Sequence, residues 1–156
     1  MRPRRLLALG NFFAVAHFYL LIYVLAPYLA GFIPHEYTGL VVSAGALATL
    51  AILPYAPRIV ARAGARRLVL FFAGLECLAL FALSLLPVPI VALLLSALAC
   101  AISPLIVYGL DRLVEATVHG EGMTGRVRTA FLTAGNAALL RSPLFIGLLL
   151  DSTYEY

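Results

Sequence analysis

Three ionisable side chains, Glu76, Arg141 and His17, stand inside stretches that are otherwise almost free of charge. A carboxylate, a guanidinium and an imidazole in apolar surroundings are the groups that couple protons, hold ions or contact charged solutes. On helices rising ~1.5 Å per residue, Glu76 falls ~12 Å into its stretch, Arg141 ~21 Å along its own, and His17 ~17 Å beyond Leu6. A carboxylate at that depth is costly unless it is paired, hydrated or protonated. Glu76 is therefore a candidate proton-coupling group, with hydrogen-bonded packing or substrate contact as the alternatives. Arginine keeps its charge, so Arg141 must either reach the headgroups or meet an anion, carbonyls or water in a cavity. Pro143 lies two residues on and can open the helix there, which favours the cavity. His17 sits among Phe13, Phe18 and Tyr19, placed to bind substrate, relay protons or satisfy an interior hydrogen bond. Asn11 and Asn136 can satisfy polar neighbours across helices. Tyr19, Tyr23 and Tyr108 can contact a solute or serve as packing and interfacial anchors.

Nothing in the chain points to catalysis. There is no Ser-His-Asp set, no Cys-His pair and no phosphate-binding glycine loop, so neither an enzyme nor a cofactor is expected. Cys77 and Cys100 both fall in apolar runs at a spacing that suits no metal site, and they read as small apolar filler. Asp111 and Glu115, one helical turn apart beside Arg112, can form a metal or proton site. The simpler expectation is that they pair with loop arginines and set an inner gate.

The elements that must position these groups are membrane helices. The chain is 63% hydrophobic and only 12% charged, far too little charge to cover a soluble domain of 156 residues. Crossing ~30 Å of hydrocarbon takes ~20 helical residues. Five segments qualify, residues 6–29, 39–55, 68–86, 89–110 and 127–150, giving one transmembrane domain over 1–156. None alternates polar and apolar residues as a barrel strand does, so the expectation is an all-α polytopic membrane helix bundle. The first segment is too long for the apolar region of a cleaved secretory signal.

Ten of the eleven basic residues, all arginine, fall into three clusters. Arg2, Arg4 and Arg5 precede the first span. Arg58, Arg62, Arg66 and Arg67 separate the second from the third, and Arg112, Arg126 and Arg128 separate the fourth from the fifth. The intervening connections carry no Arg or Lys. Under the positive-inside rule the N-terminus is cytoplasmic, and an odd number of spans leaves the C-terminus outside. The net charge of +4 sits beside apolar spans, which suits anionic headgroups of the lipid bilayer rather than nucleic acid. The alanine, leucine and arginine usage is compatible with a bacterial inner membrane.

The connections carry turn chemistry. Pro34 and Gly39 bracket one outer loop, and Pro87-Val88-Pro89 makes a tight outer hairpin. Pro57 and Gly64 bracket the basic inner loop, where Gly64 can take the left-handed conformation that ends a helix. The longest loop, Asp111 to Arg126, is polar, and Thr124 can cap the fifth helix. Pro27, Pro104 and Pro143 fall within spans, where each removes a backbone donor and permits a kink. Ala130, Ala134 and Ala138 form a small-residue face suited to close helix packing.

Several of these segments resemble the N-terminal half of a major facilitator superfamily transporter. The first span carries Asn11-Phe12-Phe13, Phe18-Tyr19-Leu20 and Val24 through Leu29, much like that family's opening helix. The second begins Gly39-Leu40-Val41-Val42-Ser43 and runs to Pro54. Ile59, Arg62, Gly64 and Arg66 match in order the family's loop signature G-x-L-x-D-R-x-G-R-K. Pro57, Ala61 and Ala65 stand where that signature has glycine, aspartate and a basic residue. The fourth span lacks the arginine that many members carry there. Gly125 through Arg128, and Ser142 through Gly147, resemble the start and later turn of the family's fifth helix.

The resemblance implies part of a six-helix half-bundle, truncated after its fifth helix. It further implies transport of a small-molecule substrate by alternating access, with a missing C-terminal half or partner subunit needed for activity. His17, Arg141, Asn136, Tyr19 and Tyr108 are then candidates for the substrate pathway, and Glu76 for proton coupling. Arg62, Gly64, Arg66, Asp111 and Glu115 are candidates for the inner gate. The competing expectation is a small, non-transporting membrane scaffold or assembly subunit.

Overall fold

The computed structural model describes residues 3–118 and 121–151, the side chains of residues 3, 121–124 and 149–151 excepted. Arg2 and the residues beyond Asp151 lie outside the described residues. Those described are helical, with no strand among them. Six α-helices follow in order: α1 (Pro3–Ala30), α2 (Thr38–Ile52), α3 (Ala56–Ala63), α4 (Ala65–Leu85), α5 (Pro89–Glu115) and α6 (Glu121–Asp151). Five helical segments are long and apolar enough to cross a membrane: Arg4–Ala30, His35–Ala63, Ala65–Leu85, Pro89–Glu115 and Gly125–Leu148. The chain is an integral membrane protein of helical type. Leu47, Phe71, Leu78, Phe81 and Leu94 all stand more than 60% exposed, a distribution that suits lipid as the surrounding solvent and would drive aggregation in water.

The helices outrun the apolar segments at several ends. α5 continues through Asp111 to Glu115, because Leu110 and Val114 are both buried one turn apart and no glycine or proline intervenes. α6 already begins at Glu121. Residues 111–115 and 121–126 of the expected loop are thus helical, and Thr124 lies inside α6 rather than capping it. The basic connection is largely a helix as well. Leu53–Tyr55 form a 3-10 turn, and α3 follows with Ala56 buried and Arg58 and Arg62 exposed. Gly64 then breaks the chain with φ 84° and ψ 144°, the one positive φ among the described residues. Its ψ is extended rather than left-handed helical, a region essentially restricted to glycine. Pro27, Pro104 and Pro143 sit inside α1, α5 and α6, which run through them.

The chain forms two compact units, one of Met1–Tyr23 with Asp111–Tyr156 and the other of Val24–Leu110. In the second unit α5 is the central helix. Gly45 of α2 lies so close that a Cβ there would stand 2.6 Å from Cys100 Cβ and 2.7 Å from the Ala97 carbonyl. On the same seam the Thr49 hydroxyl lies within hydrogen-bond range of the Gly45 and Ala101 carbonyls, at 3.1 and 2.9 Å. Gly109 of α5 gives α4 the same kind of access, with Val69 Cγ2 2.6 Å from its virtual Cβ. The end of α1 packs Leu25 and Leu29 with Cys100, and Tyr28 donates its hydroxyl to the Leu83 carbonyl at 3.2 Å. Cys100 is thus packed as apolar filler, whereas Cys77 is exposed on α4.

In the first unit α1 and α6 run parallel. Asn11 Nδ2 donates to the Phe131 carbonyl at 2.8 Å, and Gly135 closes on Asn11 and Val15. The buried stripe of α6 is Phe131, Gly135, Ala138 and Ser142, at helical spacing. The expected Ala130–Ala134–Ala138 face is therefore rotated: Ala138 is fully buried, Ala134 half-buried and Ala130 exposed. Phe131 and Gly135 decide that rotation, because the aromatic ring has the most area to bury and the glycine allows the closest approach.

Candidate functional site

Further along the same pair of helices the packing opens into a groove of ≈ 410 Å³. Phe12, Phe13 and Leu20 of α1 form one wall, and Arg141, Ser142 and Phe145 of α6 the other. Asn11 and Gly135 hold the helices together just below, so the groove begins where that clamp ends. Ser142 turns its hydroxyl back onto the Ala138 carbonyl at 2.8 Å and offers the groove no donor. Arg141 is the charged lining group, and it is exposed. It makes no hydrogen bond or ion pair among the described residues.

The other pathway candidates divide around this groove. His17 and Tyr19, both half-buried, flank the α1 wall on either side, since neighbouring residues turn ~100° on a helix. Asn136 is exposed on the face of α6 opposite the lining residues. Tyr108 is half-buried on α5 and belongs to the other unit. Arg141 is thus the one candidate of this group that lines the groove. The aromatic wall went unanticipated, although Phe12-Phe13 and Phe145 carried its signal: bulky rings at the height of the intramembrane cation.

Glu76 is 4% exposed at the seam of α4 and α5. Ser103 of α5 donates its hydroxyl to Glu76 Oε1 and stands 3.3 Å from the Ala99 carbonyl. Ser103 was missed by sequence reasoning, because a serine in an apolar run has many uses and only the α4–α5 register makes it a partner. No group of three or more metal-ligating side chains converges among the described residues.

At the end of α5, Arg128 of α6 pairs with Asp111 at 3.5 Å and with Glu115 at 3.9 Å. Arg112 also bonds Glu115 one turn below. These pairs are partly exposed and each contributes at most about 1 kcal/mol. Their effect is to fix the start of α6 against the end of α5. Arg62, Gly64 and Arg66 are exposed around the α3–α4 break, in the second unit.

Compared with protein-family models, curated proteins and solved structures, the chain matches none.

Proposed function

We propose that this chain is part of a membrane transporter of the major facilitator type, carrying a small solute with an anionic group past Arg141. The observation that supports this reading is Arg141, whose stem lines an aromatic-walled groove between two parallel helices and whose guanidinium has no partner among the described residues. A charge within the low-dielectric part of a membrane attracts a carboxylate or phosphate far more strongly than an arginine in water does. The serine hydroxyl beside Arg141 is turned away, so the groove itself is apolar and Arg141 is its charged lining residue. In this reading the solute is moved, not transformed, and a second helix bundle completes the cavity and rocks against this one. The arginine clusters support an N-terminus on the cytoplasmic side of a bacterial inner membrane, with the C-terminus outside. Arg62, Gly64 and Arg66 then lie at the inner face, as do Asp111 and Glu115.

The test is solute binding by the purified protein in detergent micelles, read as thermal stabilisation across small carboxylates, phosphates and neutral sugars. A carboxylate or phosphate should bind, and R141Q should weaken it about tenfold, the order expected for one charge-assisted contact. R141K should fall in between, because lysine keeps the charge and loses the fork geometry. Unchanged anion binding in R141Q would remove Arg141 from the pathway. Stabilisation by no solute, in a normally helical protein, would remove the groove as an anion site and with it the observation that supports transport.

A further inference from the structure

A second groove, of ≈ 360 Å³, lies in the first unit at the opposite end of the α1–α6 pair. Three arginines line it: Arg4 and Arg5 from the start of α1, and Arg126 from the start of α6. Its floor is apolar, with Ala8, Ala130 and Phe131 among the lining residues. The apolar runs of the two spans begin just beyond these arginines, at Leu6 and Val127, so the groove sits at the level where hydrocarbon gives way to headgroups.

Among the described residues the charges around it are unbalanced. The nearby acids, Asp111 and Glu115, are already engaged by Arg128 and Arg112. Arg4 is pinned to the end of α5 by donating Nη2 to the Thr117 carbonyl at 2.8 Å. Arg5 and Arg126, both exposed, make no hydrogen bond or ion pair among the described residues. A cationic rim above an apolar floor, at the membrane surface, is complementary to an amphiphile with a negatively charged head.

We propose that this groove is a binding site for an anionic phospholipid of the phosphatidylglycerol class. The phosphate rests on Arg5 and Arg126, and the upper acyl chain lies along Ala8, Ala130 and Phe131. A soluble phosphate would use only the rim and leave the apolar floor wet, which is why the lipid is the better fit. A bound lipid would bridge the starts of α1 and α6, and so brace the two helices that carry the upper groove. The site is independent of whether the protein transports.

Lipid retention on the purified protein, counted by native mass spectrometry from micelles, tests this. The probes are phosphatidylglycerol, phosphatidylcholine and free glycerol phosphate. One phosphatidylglycerol should be retained in preference to phosphatidylcholine, and glycerol phosphate should not bind measurably. The exposed pair R5Q/R126Q should reduce retention about tenfold. R58Q/R67Q, which removes the same charge from exposed positions on α3 and α4, should not. Filling the floor with A130L should reduce retention with every arginine in place, and circular dichroism checks that each variant keeps its helicity. Equal losses from the two arginine pairs would reduce the effect to general surface electrostatics and overturn the site. Glycerol phosphate binding as tightly as the lipid would overturn the lipid assignment, leaving a soluble-anion site.

Discussion

Gly45→Ala should destabilise the protein by about 2–3 kcal/mol, the upper range for overpacking a close-fitting contact. A Cβ at this position stands 2.6 Å from Cys100 Cβ and 2.7 Å from the Ala97 carbonyl. Both are attached directly to the α5 backbone, so no side-chain rotation can make room. The alternative is to move α2 off α5, which also pulls Thr49 away from the Ala101 carbonyl 2.9 Å from its hydroxyl. Alanine's better helix propensity, ~1 kcal/mol over glycine, offsets part of the loss. Gly39 and Gly74 isolate that offset, since a Cβ at either meets nothing within 4 Å. G39A and G74A should therefore be neutral or stabilising by up to ~1 kcal/mol. G109A falls between, because its clashes are with the ends of the Val69 and Leu68 side chains, which can rotate away. Unfolding in mixed micelles, followed by circular dichroism, reads the series. A G45A variant as stable as G74A would mean that α2 does not approach α5 this closely.

Each of the five spans was legible because a membrane helix must satisfy its backbone internally, so a long apolar run permits little else. The helix ends were less legible, for an identifiable reason. Hydropathy marks where hydrocarbon stops, whereas a helix stops only where the backbone is made to. Asp111 ends the apolar run, yet α5 continues because Val114 still has a buried place to fill. α3 was hidden differently: Pro54 and Pro57 flag a break, but each lies near a helix start, where proline costs no hydrogen bond. Gly64 was readable as a required turn, though not its extended ψ.

The candidate site was legible as a set of charges and only partly as a place. An arginine, a histidine and a glutamate in apolar runs stand out by composition alone. Which of them share a groove depends on helix rotation, and the rotation of α6 is set by Phe131 and Gly135. That choice turns Asn136 away from the groove and Arg141 toward it. The partner of Glu76 depends in the same way on the α4–α5 register, which Gly109 helps to set.

Glu76→Ala should cost about 2–3 kcal/mol, whereas Glu76→Gln should stay within about 0.5 kcal/mol of the parent protein. The contrast follows from counting donors at the α4–α5 seam. Ser103 has one hydroxyl proton and two acceptors in range, Glu76 Oε1 and the Ala99 carbonyl 3.3 Å away. A glutamine can donate its amide to the serine oxygen, which frees the serine proton for Ala99, so the link between Ser103 and residue 76 is kept. Alanine supplies neither the acceptor that Glu76 offers Ser103 nor the volume, and leaves a cavity beside α5 where the helix is most buried. Ser103→Ala removes the hydroxyl but little volume and should cost about 1 kcal/mol, in the range of a hydrogen bond between membrane helices. Micelle unfolding of the three variants separates packing from charge. If Glu76→Gln falls as far as Glu76→Ala, the carboxylate itself is required at the seam. If only Glu76→Ala falls, volume and hydrogen bonding at the seam account for the residue.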